Sequence, residues 1–452
     1  MANVSAYGRS SSNRACTAQN RPSVQTPQVH KRISSQGDKQ TTKHTPHKRL
    51  ANMSVLAKLQ SIDWSFATFQ SATGLYHIDA ISNLHWYPGR CVPSLASTLI
   101  SALARPGQLL LDPFVGSGTI AAAAVEAGLA TIGMDINPIA CLISRVKISL
   151  MPPDRLRPLA NALTTSLVTA QRHIEAGCTA SPALLPPSIP NGEENELWYH
   201  PGTLFELGTI LSYINNIEHE TFRTIAFVCF SSILRACSSQ SNHWGYICDN
   251  MRPQSLVYKS ALNIYLKRLQ QYIVVLGDHF TAVTLRRSAA DLRMIRRTSR
   301  IITASAATIN QHVRDAAIDL IVTSPPYSGV NDYVDSQRLT LLWLPDGPEV
   351  RRISRCNETG ARWKRFRKTA TGEFITDMSD ILHYLVRSLK PHGYLCLIYG
   401  DSPARTPAIP ALISALRINN CAHIGSFTRG IPSKRALIPK VMNETIHVFR
   451  KL

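Results

Sequence analysis

None of the ten cysteines forms a CxxC pair, so neither a zinc ribbon nor a disulfide framework is indicated, and a reducing compartment is the simpler setting. Cys237, His243 and Cys248 lie near one another, but their spacing does not suit a metal site, and no metal is expected. No uninterrupted apolar run approaches the ~20 residues that a membrane span requires. The chain therefore reads as soluble and without a membrane partner. Acidic residues are scarce: 29 stand against 49 basic ones, a net charge of +20. That imbalance favours a polyanionic partner, although a membrane surface would attract the same charge. No internal repeat is visible. What the chain does have is length, 452 residues with 44% hydrophobic content, enough for a large α/β domain with an insertion or for two domains.

Residues 1–52 carry nine basic residues and one acid, Asp38, with almost no aliphatic periodicity. This composition predicts a disordered basic tail. It would also suit an organellar transit peptide, or an upstream extension with the working start at Met53. The tail accounts for +8 of the +20, leaving +12 for the folded sequence. Residues 53–150 read as the first part of an α/β domain. Helix is expected over 93–104, 117–127 and 139–150, and short strands over 109–111 and 130–134. Strand, turn, helix and strand at this spacing make a parallel βαβ unit. Residues 151–285 read as a helical insertion, with a proline-rich linker at 182–190 and helices near 203–217, 220–237 and 255–276. The α/β pattern resumes over 286–452, with strands at 318–322 and 394–400, helices at 332–344 and 373–389, and an edge hairpin from 422–427 and 445–451.

Two strings carry the chemistry. In DPFVGSGT (residues 112–119), Gly116, Gly118 and Ala121 fit G-x-G-x-x-A, a strand-to-helix turn that lets a ligand approach the backbone. Asp135 ends the next strand, where its carboxylate could accept hydrogen bonds from ribose hydroxyls. A plain βα turn remains open, but the carboxylate favours an adenosine-containing cofactor. TSPPY (residues 323–327) follows the apolar run IDLIV, which sets it at the C-terminal end of a buried strand, where open α/β sheets bind ligands. Methylating an exocyclic amine requires acceptors for the NH2 hydrogens and alignment of a poorly nucleophilic nitrogen. Ser324 can accept one hydrogen bond, and a carbonyl fixed by Pro325 and Pro326 can accept another. Tyr327 offers a stacking face worth about 1–3 kcal/mol per base.

DPFVGSGT and TSPPY together resemble the N4-cytosine/N6-adenine amino DNA methyltransferase family, and the likeness spans most of residues 64–452. The resemblance implies a Rossmann-like methyltransferase sheet, mostly parallel with a C-terminal antiparallel hairpin, plus a helical insertion. It implies S-adenosylmethionine as cofactor, with Asp112, Phe114, Gly116, Gly118 and Thr119 at its pocket beside Asp135. It further implies that HWYPGRCVPSLA (residues 85–96) contacts the methionine end, which brings in Pro88 and Arg90. Ser324, Pro325, Pro326 and Tyr327 become the catalytic motif, and its serine form leans toward cytosine N4. The cofactor motif precedes the catalytic one here, whereas many members have the reverse order.

A base inside duplex DNA must be flipped to reach such a crevice. The run at 351–368 has eight basic residues against Glu358, interleaved with Trp363 and Phe366, and follows the catalytic motif closely. Arg351, Arg352, Arg362, Lys364, Arg365 and Arg367 are the expected phosphate contacts. The run at 286–300 adds six arginines against Asp291. Residues 238–252 suit a loop that reads a DNA groove. The expected function is site-specific DNA methylation at cytosine N4 in a bacterial-type cytoplasm, with a cognate restriction endonuclease as an open partner. The alternatives are N6-adenine methylation, an RNA amino-group methyltransferase and a catalytically silent nucleic-acid-binding protein. An NAD oxidoreductase would leave SPPY and the charge unexplained.

Overall fold

The computed structural model describes residues 54–65, 76–179, 181–182, 184–240, 252–401, 408–430 and 443–452. The expected tail (1–52), most of the expected groove-reading loop, and His243 and Cys248 lie outside them.

A seven-stranded sheet is the frame. Its strands are β1 (Leu109–Asp112), β2 (Ala130–Asp135), β3 (Arg300–Thr303), β4 (Ile318–Thr323), β5 (Leu389–Asp401), β6 (Cys421–Gly430) and β7 (Asn443–Lys451). Their spatial order is β3-β2-β1-β4-β5-β7-β6, with β3 through β5 parallel and the β7 pairings antiparallel. The chain leaves β1 toward β2 and β3, then returns to β4 on the other side. The order therefore reverses between β1 and β4, which opens a crevice beyond their C-terminal ends.

Side-chain alternation sorts the strands into two apolar layers. Leu110, Leu320, Val322, Cys396, Ile398, Ile446 and Val448 face one side. They pack on α1 (Val55–Gln60), α3 (Pro93–Leu103) and α4 (Thr119–Glu126); α2 (Tyr76–Ser82) lies between α1 and α3 in the chain. Leu111, Ile321, Leu395, Leu397, Tyr399 and Phe449 face the other side, against α14 (Ala370–Ser388) and α15 (Ala408–Ile418). All eight residues of α4 are buried, five of them alanine or valine, so this helix sits close to both sheet and neighbours.

A third buried layer is helical. It joins α5 (Pro138–Ile148) to α6 (Pro153–Glu175), α8 (Pro201–Asn215), α9 (Glu220–Cys237) and α10 (Ala261–Thr284), around Trp198, Tyr199, Tyr265, Tyr272 and Trp343. The short α7 (Gly192–Glu196) precedes α8. No helix of the described residues is long and apolar enough to cross a membrane.

Two segments differ from expectation. The arginine-rich run at 286–300 contains a helix, α11 (Ala289–Thr298), started by a capping box between Ser288 and Asp291. The helix expected over 332–344 reduces to a 3-10 turn (Asp335–Gln337) and the four-residue α12 (Arg338–Leu341). Its first residues are engaged elsewhere: the Asn331 carbonyl accepts from the Arg362 N–H, and the Asp332 carboxylate accepts from the Trp363 N–H at 2.9 Å. The partner segment follows α13 (Gly347–Cys356) and includes a 3-10 turn at Arg362–Phe366.

Candidate active site

Both motifs leave adjacent strands and are pinned to each other at the base. The Thr323 hydroxyl donates to Asp112 Oδ1 at 2.7 Å, and the Phe114 N–H donates to the same oxygen at 3.2 Å. Burial pushes the Asp112 carboxyl up to about 7, and these two hydrogen bonds work against that rise. At the turn, Gly116 (φ +49°) and Gly118 (φ +74°) take left-handed conformations that favour glycine. A Cβ on Gly118 would lie 2.7–2.9 Å from Ser144 of α5, so this glycine also sets how closely α4 approaches α5.

Asp135 closes the turn from the side. Its Oδ2 accepts from the Gly116 N–H at 3.0 Å and its Oδ1 from the Asn137 N–H at 2.8 Å. Burial raises its carboxyl to about 6. Asn137 in turn caps α5, its side chain accepting from the Ile139 N–H.

These groups surround an open cavity of about 850 Å³, counting the solvent at its mouth. Asp112, Phe114, Gly116, Thr119 and Asp135 line it, together with Pro88 and Arg90, and with Ser324 and Pro326 of the catalytic motif. Gly118 stands behind the turn as the cap of α4. Pro325 is buried, and Tyr327 stands beside the lining rather than in it. The wall also holds residues that the motifs did not indicate: Tyr87, Asn137, Ser305, Ala306 and Glu358. Of these, Ser305 and Ala306 follow the end of β3 and belong to no motif visible in the sequence.

The catalytic motif is anchored at its far end. Ser324 Oγ donates to the Tyr327 hydroxyl at 3.3 Å, and that hydroxyl donates to Glu444 Oε1 at 2.8 Å. Glu444 Oε2 is held by Arg429 Nε at 2.8 Å and Nη2 at 2.7 Å, with the arginine only 4% exposed. The Tyr327 ring lies 5.4 Å from that of Tyr399. Burial and the adjacent Glu444 carboxylate push the phenol's pKa well above its usual value, so it stays protonated.

The Pro88–Arg90 wall is held by two cations, Arg90 at its exposed edge and the buried Lys147. Arg90 Nη1 donates to the Ser82 carbonyl at 2.6 Å and to Asn83 Oδ1 at 3.0 Å. Lys147, fully buried, donates to the same Ser82 carbonyl, and burial lowers its pKa well below the usual lysine range. His85, pushed down to about 4 mainly by burial, connects to Ser231 of α9 at 2.8 Å, and Ser231 connects to Thr340 at 2.9 Å.

The basic run lies on the segment that docks beside this cavity. Arg351 and Arg355 both pair with Asp335, at 2.9 and 3.0 Å. Arg352 pairs with Glu349, and Arg367 lies 3.8 Å from Glu373. Lys364 donates to the Glu358 carbonyl, and Arg365 covers the exposed Phe366 ring at 4.4 Å. Arg355, Lys364 and Arg367 lie 4.9–5.6 Å from the Trp363 ring. In the 286–300 run, Arg287, Arg296 and Arg300 donate to the carbonyls of Glu126, Leu150 and His312. Among the described residues, no group of three or more His, Cys, Asp or Glu could hold a metal ion.

A parallel sheet that reverses order at a glycine turn, with a carboxylate on the next strand and a polar Ser-Pro-Pro-Tyr corner across the crevice, defines a Rossmann-like methyltransferase. A DNA methylase family model matches residues 22–145, which include the cofactor turn and Asp135. The type II methyltransferase M.MvaI of Kocuria varians is 23% identical over 395 residues, covering 78% of this chain and 84% of that protein. The type II methyltransferase M.MjaII of Methanocaldococcus jannaschii is 21% identical over 406 residues, 75% of each chain. Among solved structures, the rRNA methyltransferase aviRa from Streptomyces viridochromogenes is 11% identical with a TM-score of 0.34, covering 85% of this chain and 96% of that one. That likeness is too low to bear on function. The family model and these relatives support the N4-cytosine/N6-adenine amino DNA methyltransferase family for this chain, and that family and fold imply use of S-adenosylmethionine.

Proposed function

We propose that this protein methylates the N4 amino group of a flipped cytosine within a specific DNA sequence. The observation that carries the proposal is the hydrogen-bonded row Ser324–Tyr327–Glu444 at the catalytic end of the cavity. Because the Tyr327 hydroxyl gives its proton to Glu444, it can only accept from Ser324, which leaves the serine lone pairs to accept from an amino N–H at the catalytic end of the cavity. A neutral hydroxyl in place of a carboxylate at this position is what favours cytosine.

The lining residues fit the methyl donor. Asp135 and the glycine turn would hold its ribose side, Phe114 its flat face, and Asp112, Pro88 and Arg90 the amino-acid end. When bound, S-adenosylmethionine supplies an electrophilic methyl group. The protein's part is to orient and desolvate. Ser324 and a proline carbonyl hold the amino hydrogens, so the nitrogen lone pair is directed at the donor. Tyr327 keeps Ser324 in place and offers its ring beside the base. The row Ser324–Tyr327–Glu444 gives the departing amino proton a path of acceptors away from the reacting nitrogen.

Arg362, Lys364, Arg365 and Arg367 are the proposed backbone contacts that offset the cost of flipping. Arg351 and Arg352 act there through ion pairs that shape the segment. The designation of two relatives as type II methyltransferases supports modification of DNA as the activity. In steady-state kinetics and cofactor titration, Tyr327→Ala should lower turnover sharply with near-normal cofactor affinity, and Asp135→Ala should mainly weaken cofactor binding. The reverse pattern would overturn these roles.

A further inference from the structure

Glu358 is the one acid in the basic run at 351–368, and its carboxylate points away from the run. It is 3% exposed and lines the cavity. Its Oε1 accepts from the Tyr333 N–H at 2.6 Å, the Val334 N–H stands close enough to favour its ionised form, and its Oε2 has no partner at full hydrogen-bond geometry. A buried acceptor left open in this way is costly unless something fills it. The neighbouring contacts place it beside the end of β2. Ser354, one turn earlier, donates to the Ile136 carbonyl at 3.3 Å, next to Asp135. Both Asp135 oxygens already accept from backbone amides. A nucleoside bound here would need further acceptors for its hydroxyl and amino hydrogens, and Glu358 has the open one. Lys364 approaches the Glu358 carbonyl, so no cation within the run neutralises the carboxylate directly. Burial lifts its carboxyl to about 8, so the ligand-free group is largely protonated at neutral pH, and accepting a hydrogen bond on Oε2 requires that proton to leave when the ligand binds.

We propose that Glu358 is a cofactor-binding residue whose open oxygen accepts a hydrogen bond from the adenosine half of the methyl donor. This rests on the assignment of the cavity to S-adenosylmethionine. It also gives the basic segment two faces: Glu358 turned inward to the cofactor and the arginines turned outward.

The test is calorimetric titration of the full chain, wild type and Glu358→Gln, with S-adenosylmethionine and separately with 5′-methylthioadenosine. The Glu358→Gln side chain keeps the carbonyl that Tyr333 needs and removes only the open acceptor, so a purely structural role predicts unchanged affinity. The expected result is a loss of tenfold or more for both ligands. Binding within twofold of wild type would overturn the proposal, as would a loss for S-adenosylmethionine alone, which would place Glu358 at the amino-acid end. If wild type binds neither ligand, the cavity assignment itself fails, and the proposal fails with it. A thermal melt of each ligand-free protein checks folding. Should Glu358→Gln melt early, Glu358→Asp, which withdraws the carboxylate by one methylene, is expected to fold and to lose affinity for both ligands; unchanged affinity there would also count against the proposal.

Discussion

Glu444 follows Tyr327 by 117 positions in the chain, yet the two side chains meet at 2.8 Å, and Arg429 completes the group from the neighbouring strand. No spacing rule links these positions; only the antiparallel register of β6 and β7, Arg429 opposite Glu444, brings them together. Ser324, by contrast, was readable because serine, two prolines and tyrosine stand consecutively after a buried strand. Glu358 was hidden for another reason: inside eight cations, a lone acid reads as charge balance. Glu444→Gln keeps the shape of the group but removes the charge facing Arg429. Turnover is expected to fall about tenfold or more, equivalent to at least ~1.4 kcal/mol in the transition state, with cofactor affinity within twofold. Single-turnover methylation and a binding titration would check it, and a loss confined to cofactor affinity would contradict the role. Glu358 also makes a pH prediction. Its folded pKa of about 8 lies above the unfolded carboxylate value near 4.5, so the native state binds the extra proton between those limits. The resulting stability is full below pH 4.5 and is lost as pH rises through 8. Relative to wild type, ligand-free Glu358→Gln should therefore gain stability from about pH 5 to 8, as denaturant melts at each pH would show.

The element that organises the site is the β1–turn–α4 unit. It was legible because its requirements are local: leucines for a buried strand, glycines for left-handed backbone, small residues for a crowded helix. The C-terminal hairpin was legible from its alternation. The stretch at 332–344 was not, because its apolar pattern suits a helix, while the backbone of Asn331 and Tyr333 is bonded to residues 362 and 358. Gly118 tests the turn. Gly118→Ala meets both the left-handed penalty, about 1–2 kcal/mol, and overlap with Ser144 at 2.7–2.9 Å. Gly107→Ala meets only the first, since φ is +88° and nothing lies within 4 Å. Equilibrium unfolding should show Gly118→Ala as the more destabilised by ~1 kcal/mol or more, with cofactor affinity lost only there. Equal losses would mean that α4 and α5 tolerate separation.

Across the whole molecule, charge and cavity divide the work. The net +20 was visible in composition, but composition could not say which cations are committed internally, as Arg351 and Arg355 are to Asp335. Replacing Arg362, Lys364 and Arg365 together by alanine should weaken DNA binding across sequences and reduce the salt slope by about 0.9 per lost phosphate contact. Fluorescence anisotropy from low to moderate salt would measure both; an unchanged slope would remove this face from the interface. Since Glu358 belongs to the same segment, it is expected to couple the two ligands: saturating cofactor should tighten DNA binding in wild type and do so less in Glu358→Gln, and by linkage DNA should tighten cofactor binding by the same factor. The central claim, methyl transfer to cytosine N4, is tested most directly by incubating the protein with methyl-labelled S-adenosylmethionine and either unmodified duplex DNA or total RNA, followed by nucleoside mass spectrometry. Labelled N4-methylcytosine in the DNA is the expected product. N6-methyladenine in its place, or label confined to RNA, would contradict that claim.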